Sequence, residues 1–371
     1  MSISHPRKRA VRRSVALGFA ALVALGSLAA CSDPNEGEGG DSGGGDSATI
    51  ALLLPESKTT RYETFDRPLF EDKVAELCSE CEVTYFNADQ DEAKQSEQVD
   101  SAITQGADVV VLDPVNGAGA GGMVTAAQDA DIPVIAYDRF IEGVDYYMSF
   151  DNETVGQLQG QALVDAMGDK GSILMLNGAP SDPNAAQFKA GAHSVLDGSG
   201  VKILEEYDNP DWSPENAQKF VTDQMSKYKP ADIQGVYAAN DGQAGGAVAA
   251  LTGAGFQADA LPPITGQDAE LAAIQRIVAG QQAMTIYKPI KIEAETAAEV
   301  AVKLAQGDEV GDTSDTGVDQ TEYEGVASFI FDPIVVTTDN IADTVIADGF
   351  YSADEICTDE YADACGAAGI S

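Results

Sequence analysis

The chain has 371 residues, of which 44% are hydrophobic, and it carries 21 lysines and arginines against 61 aspartates and glutamates, a formal charge of −40. Such acidity repels phosphate backbones and excludes nucleic acid as a partner. The length exceeds what one hydrophobic core organises, so two domains are expected.

Residues 1–30 read as an export signal: Arg7, Lys8, Arg9, Arg12 and Arg13 form a basic head, Val15 to Ala30 an apolar stretch, and small residues precede Cys31. The apolar stretch is short for a bilayer span. Leu28-Ala29-Ala30-Cys31 resembles a bacterial lipobox, which makes Cys31 the acylated first residue of the mature chain and lipid its anchor to the outer face of the cytoplasmic membrane. The rival reading is an ordinary cleaved signal with a chance cysteine. Arg12-Arg13 also fits twin-arginine export, and the following residues do not decide the route. The leader holds five of the basic residues and none of the acidic ones, so its removal takes the charge to −45. Residues 31–47 are rich in Gly, Ser and Asp and read as a flexible tether.

From Ala48 onward, short β-rich runs alternate with longer helical ones, the pattern of βα units on parallel sheets. The expected strands are Thr49–Leu54, Glu82–Phe86, Val109–Leu112, Pro133–Ala136, Ser172–Leu176, Lys202–Glu206, Gly235–Ala238 and Ala283–Ile286. The expected helices are Glu71–Cys78, Ala93–Gln105, Gly122–Asp129, Thr154–Met167, Ala186–Leu196, Pro214–Tyr228, Gln243–Thr252, Ala269–Ala279 and Ile290–Ala305. This makes two successive doubly wound α/β sheets with a break near Asp151. Ile290–Ala305 then crosses back to the first lobe, and apolar runs around Asp332-Pro333 return to the second. The lobes are drawn as 48–152 plus 289–327 and 153–288 plus 328–371. Besides Cys31 there are four cysteines, which permit three connectivities. Short loop closure favours Cys78–Cys81 and Cys357–Cys365 as structural staples, and the acids Glu76, Glu80 and Glu82 disfavour a redox role for the first pair.

In open α/β sheets ligands sit beyond the carboxyl ends of the strands. Polar and aromatic residues gather at nearly every such end: Arg61-Tyr62, Asp113, Asp138-Arg139, Asp182 and Asn184, Trp212, Asn240-Asp241, Gln267-Asp268, and Lys288. Each alone reads equally as a helix cap or turn residue; the repetition in both halves does not. Carboxylates and amides (Asp138, Asp182, Asn184, Asn240, Asp268) accept from or bridge sugar hydroxyls, and Arg61, Arg139 and Lys288 donate to the remaining oxygens. Trp212, the only tryptophan, lies in a polar loop and faces Tyr62 across the expected cleft, so that the two hold a flat ring between them. The set suits a neutral polyol. No Gly-x-Ser-x-Gly elbow, phosphate loop, HExxH or Cys/His zinc set is present, so neither a catalytic centre, a metal nor a cofactor is expected. His193 reads as an exposed helix residue, and Asn87–Asp91 as a helix start, since it lacks the glycine and final glutamate of a calcium loop.

Longer strings then become recognisable. Ala136-Tyr137-Asp138-Arg139, Ser149-Phe150-Asp151-Asn152-Glu153, Asn240-Asp241 with Ala244-Gly245-Gly246-Ala247, Gly266-Gln267-Asp268-Ala269 and Met284-Thr285-Ile286-Tyr287-Lys288-Pro289-Ile290 closely resemble the D-xylose-binding branch of the type I periplasmic sugar-binding proteins. The resemblance implies two Rossmann-like lobes joined by a three-strand hinge, closing as a monomer over one monosaccharide and delivering it to an ABC permease and its ATPase. It implies that Arg61, Asp138 and Arg139 hold the sugar from the first lobe, and Asp182, Asn184, Asn240 and Asp268 from the second. Lys288 stands near the hinge, and Tyr62 and Trp212 flank the ring. Tyr62 replaces the tryptophan of that pattern, and Asp113-Pro114-Val115-Asn116 and the cysteine pairs also depart from it. D-Xylose is the lead ligand, with glucose or another aldose next. A sensor that presents sugar to a membrane signalling protein and an exported glycan-acting enzyme are the rival classes.

Overall fold

The computed structural model describes residues 47–370. The leader, Cys31 and most of the tether lie outside the described residues. In chain order the first half runs β1 (Thr49–Leu54), α1 (Arg67–Leu77), β2 (Glu82–Asn87), α2 (Glu92–Gln105), β3 (Val109–Leu112), α3 (Gly121–Gln128), β4 (Val134–Tyr137) and β5 (Tyr146–Phe150). The second runs α4 (Asn152–Met167), β6 (Gly171–Asn177), α5 (Pro183–Leu196), β7 (Val201–Asp208), α6 (Pro214–Gln224), β8 (Gly235–Ala238), α7 (Asp241–Gly253), α8 (Leu271–Val278) and β9 (Thr285–Tyr287). After these come α9 (Ile290–Gln306), β10 (Thr321–Tyr323), β11 (Val326–Phe331) and β12 (Ile334–Val336). Two short helices, α10 (Ala353–Ile356) and α11 (Ala362–Ala368), close the chain.

The first lobe is one sheet in the order β2-β1-β3-β4-β5-β11-β10, parallel throughout except for β10 against β11. β1, β3 and β4 are apolar runs buried along nearly their whole length, as strands covered on both faces require. The second lobe pairs β7-β6-β8 in parallel. Parallel bridges from Val236 to Ile264 and from Gln267 to Ile286 carry that order on to β9, which meets β12 antiparallel. Both lobes are therefore doubly wound α/β units, and the chain passes between them at Asp151, at Pro289 and at Asp332-Pro333. The last passage comes later than the boundary expected after residue 327, because β11 stays paired with β5 from Ala327 to Phe331. β5 itself, missing from the sequence reading, is a strand because it is sandwiched between β4 and β11.

Helix starts follow the caps. Asp91, Asp151, Asp182, Ser213 and Asn240 each accept the backbone N–H two or three residues on. Helices α4 and α5 touch backbone to backbone: a Cβ on Gly156 would stand 2.0 Å from Phe188 O, and one on Gly191 2.1 Å from Glu153 O. Gly156→Ala is thus expected to destabilise the fold by about 3 kcal/mol, the upper range for overpacking, read as a lowered urea midpoint at unchanged slope. Disulfides join Cys78 to Cys81 and Cys357 to Cys365, with Cα separations of 5.3 and 5.8 Å. No described helix is long and apolar enough to cross a membrane.

Candidate functional site

The carboxyl ends of both sheets face each other across a cavity lined by thirteen residues, all buried. Every strand-end residue proposed as a ligand contact reaches it: Arg61 and Tyr62 beyond β1, Asp138 and Arg139 after β4, Asp182 and Asn184 after β6, Trp212 after β7, Asn240 after β8, Asp268, and Lys288 after β9. Thr59, Phe188 and Gln267 complete the wall and were not singled out as contacts. Gln267 sits inside a string already noted. Phe188 is one helical turn beyond Asn184, so the capped start of α5 aims both the same way.

Charge organises the wall. Three cations (Arg61, Arg139, Lys288) meet three carboxylates (Asp138, Asp182, Asp268). Arg61 forms a bidentate pair with Asp66, Nε to Oδ2 at 2.9 Å and Nη2 to Oδ1 at 2.5 Å. It also donates to Glu293 Oε2 at 2.7 Å and reaches Asp138 Oδ1 at 3.4 Å. Glu293 lies on α9, and nothing in its local sequence marked it. Burial pushes its carboxyl up, against the pull of Arg61, to about 8. For Asp138 burial works in the same direction, but Arg61, Lys288 and Arg139 more than offset it and hold the carboxyl below its ordinary value. Tyr62 donates to Asp138 Oδ2 at 3.3 Å and accepts from Arg139 Nη2 at 3.2 Å. Lys288 Nζ stands 3.0 Å from Asp268 Oδ1, an ion contact lacking hydrogen-bond alignment.

Backbone strain concentrates here: Asp138, Trp212 and Asp268 have φ of 57°, 60° and 89°, a sparsely populated region for residues with a side chain. Asp138 is held there by its carbonyl, which accepts from Ser149 Oγ at 2.6 Å and from Asn184 Nδ2 of the other lobe at 2.9 Å. The Trp212 indole donates to Asp182 Oδ2 at 3.1 Å and packs so closely on Gly178 that a Cβ there would fall 2.0 Å from the ring. Asp182 and Asn240 are helix caps and cavity walls at once. Further contacts seal the rim: Lys58 pairs with Asp211 at 2.5 Å, and Gly117 N–H donates to Ser181 O at 3.2 Å. Two buried amide oxygens on the wall, Asn184 Oδ1 and Gln267 Oε1, have no donor among the described residues. Away from the cavity, His193 is a half-buried residue of α5 beside Asp197 and Glu206, and Asp91 caps α2.

A polar, amide-bearing cavity of paired charges shut between two α/β lobes suits a small polar solute. Sequence comparison agrees: the model of the periplasmic binding protein domain matches residues 50–309, and the chain belongs to that family. It is 39% identical to the D-xylose-binding periplasmic protein of Escherichia coli, over 83% of this chain and 92% of that one. It is 32% identical to the multiple sugar-binding periplasmic receptor ChvE of Rhizobium radiobacter, over 72% and 81%. An ABC transporter solute-binding protein from Clostridium phytofermentans, solved with β-D-glucose, superposes with a TM-score of 0.74 at 26% identity, covering 83% of this chain and 99% of that one. The family and these relatives are binding proteins and not enzymes.

Proposed function

We propose that this chain is the monosaccharide-binding component of an ABC importer, anchored outside the cytoplasmic membrane through lipid on Cys31, with D-xylose its lead ligand. The pairing of the wall carries the reading: Arg61 is already paired with Asp66, Arg139 with Asp182 and Lys288 with Asp268, so no buried cation is left over for an anionic ligand, which suits an uncharged polyol. Asp138, Asp182, Asn184, Asn240 and Asp268 accept or bridge its hydroxyls, Arg61, Arg139 and Lys288 donate, and Trp212 with Tyr62 flanks the ring. D-Xylose leads because the Escherichia coli relative is named for that sugar. Sugar bridging both lobes shifts the population toward the closed form, and the closed rims then dock on the permease.

A monosaccharide of roughly ten to twelve heavy atoms, at about 0.7 kcal/mol per atom, binds with about 8 kcal/mol, or micromolar affinity. Calorimetry of the soluble fragment from Ala48 with pentoses and hexoses tests this: one sugar should be retained intact at one per chain, and turnover, or no binding by any aldose, would overturn it. Trp212→Ala should weaken that binding roughly 5- to 150-fold, as loss of an aromatic stacking face costs about 1–3 kcal/mol; unchanged titrations would remove Trp212 from the contact set.

A further inference from the structure

Asp113, at the end of β3, has no part in the wall, yet its carboxylate is fully buried and neither oxygen has a hydrogen-bond donor among the described residues. Its main chain is pinned: the N–H donates to Leu53 O at 2.9 Å, and the carbonyl accepts from Gln95 Nε2 at 2.8 Å. The carboxylate is therefore held in place rather than left there by a mobile loop. It is aimed at Arg139, whose Nε is 3.4 Å from Asp113 Oδ1.

Arg139 is built into the first lobe. Nη1 donates to Pro114 O at 3.0 Å and Nη2 to the Tyr62 hydroxyl. Nε stands 2.9 Å from Asp182 Oδ2 of the second lobe. The short distance does not bring alignment, for Nε–H points squarely at neither acid. One N–H is thus shared between a carboxylate of its own lobe and one that leaves whenever the lobes part.

Resting on the sugar-receptor reading, we infer that Asp113 is a positioning residue that takes the Arg139 guanidinium in the open form and yields it to Asp182 and the ligand on closure. When Asp182 swings away, a small turn of the guanidinium closes the 3.4 Å gap into a full ion pair. On closure that pair is given up and Asp113 is left buried with little compensation, which stabilises the open form relative to the closed one and promotes release. Burial raises the closed-form carboxyl well above its ordinary value, and Arg139 offsets only part of this. The other groups facing it are Asp138 and Asp182, which raise it further, and Arg61, which lowers it; the Tyr62 hydroxyl also lies within its field.

The sign follows. A carboxyl that titrates higher closed than open takes up a proton on closure, so sugar affinity is greatest at low pH. It falls as pH rises from the open-form to the closed-form value and levels above that. Glu56, Glu270 and Glu293 are also raised by burial, so the informative quantity is the difference between wild type and Asp113→Asn. The isosteric variant should bind sugar roughly 3- to 10-fold tighter, release it more slowly, and show a smaller pH dependence and smaller proton uptake in buffers of different ionisation enthalpy. Equal or weaker binding with unchanged proton uptake would overturn the inference, since a purely structural acid has no reason to oppose closure. If the variant does not fold, the sugar-free open form of the wild type decides: Arg139 and Asp113 in hydrogen-bond contact support the exchange, and a gap of 3.4 Å or more sinks it. Failure of every sugar to bind wild type would remove the receptor reading and leave the open-form distance as a separate test.

Discussion

Asp268→Ala is expected to weaken sugar binding about 100-fold while leaving the fold intact. The side chain is held over the cavity by a φ of 89°, with its N–H donating to Ile286 O at 2.8 Å, so its position owes nothing to the ligand. Its loss removes a charged acceptor for a desolvated hydroxyl, for which about 1.5–3 kcal/mol is typical. It also releases Lys288, whose remaining carboxylate, Asp138, is 3.9 Å away. Burial draws the Lys288 ammonium down, but Asp268 and Asp138 more than restore it, so the variant also leaves a buried cation underpaired. Calorimetry with the best wild-type sugar checks this, and a wild-type isotherm would exclude Asp268 from the contacts.

Arg61→Ala should fail differently, by unfolding. Its guanidinium is the partner of Asp66 and Glu293 and neighbours Asp138, all buried. Truncating one member of such a network costs about 3–5 kcal/mol, because the acids stay behind without it, out of the roughly 5–15 kcal/mol that holds a domain together. Thermal denaturation without sugar should show a large fall in Tm, and a smaller one for Asp268→Ala, which leaves only Lys288 underpaired. If Arg61→Ala melts like wild type and loses only sugar, Arg61 belongs to ligand recognition alone and its acids are better hydrated than their burial implies. Comparison of the two variants separates residues that grip the ligand from residues that keep the wall standing.

Asp182 and Asn240 cap their helices and line the cavity at once, so a cap and a wall position do not compete. Both caps lie on the wall because a helix following a parallel strand begins at the strand's carboxyl end, where the cleft is. The same geometry makes strand-end residues a sound first list of candidates and explains why Phe188, one turn into a helix, escapes it.

Order of residues alone was enough to read the alternation of β and α, the caps and the carboxyl-end residues, because each is written in spacing over a dozen residues or fewer. Tertiary packing decided the rest. β5 is a strand because β4 and β11 flank it, and the first lobe keeps the chain until Phe331 for the same reason. Glu293 meets Arg61 across 232 positions of chain, and Asp113 is a buried acid without a hydrogen-bond donor beside Arg139. Such long-range pairings depend on the summed geometry of two sheets and a hinge, and no local pattern carries it.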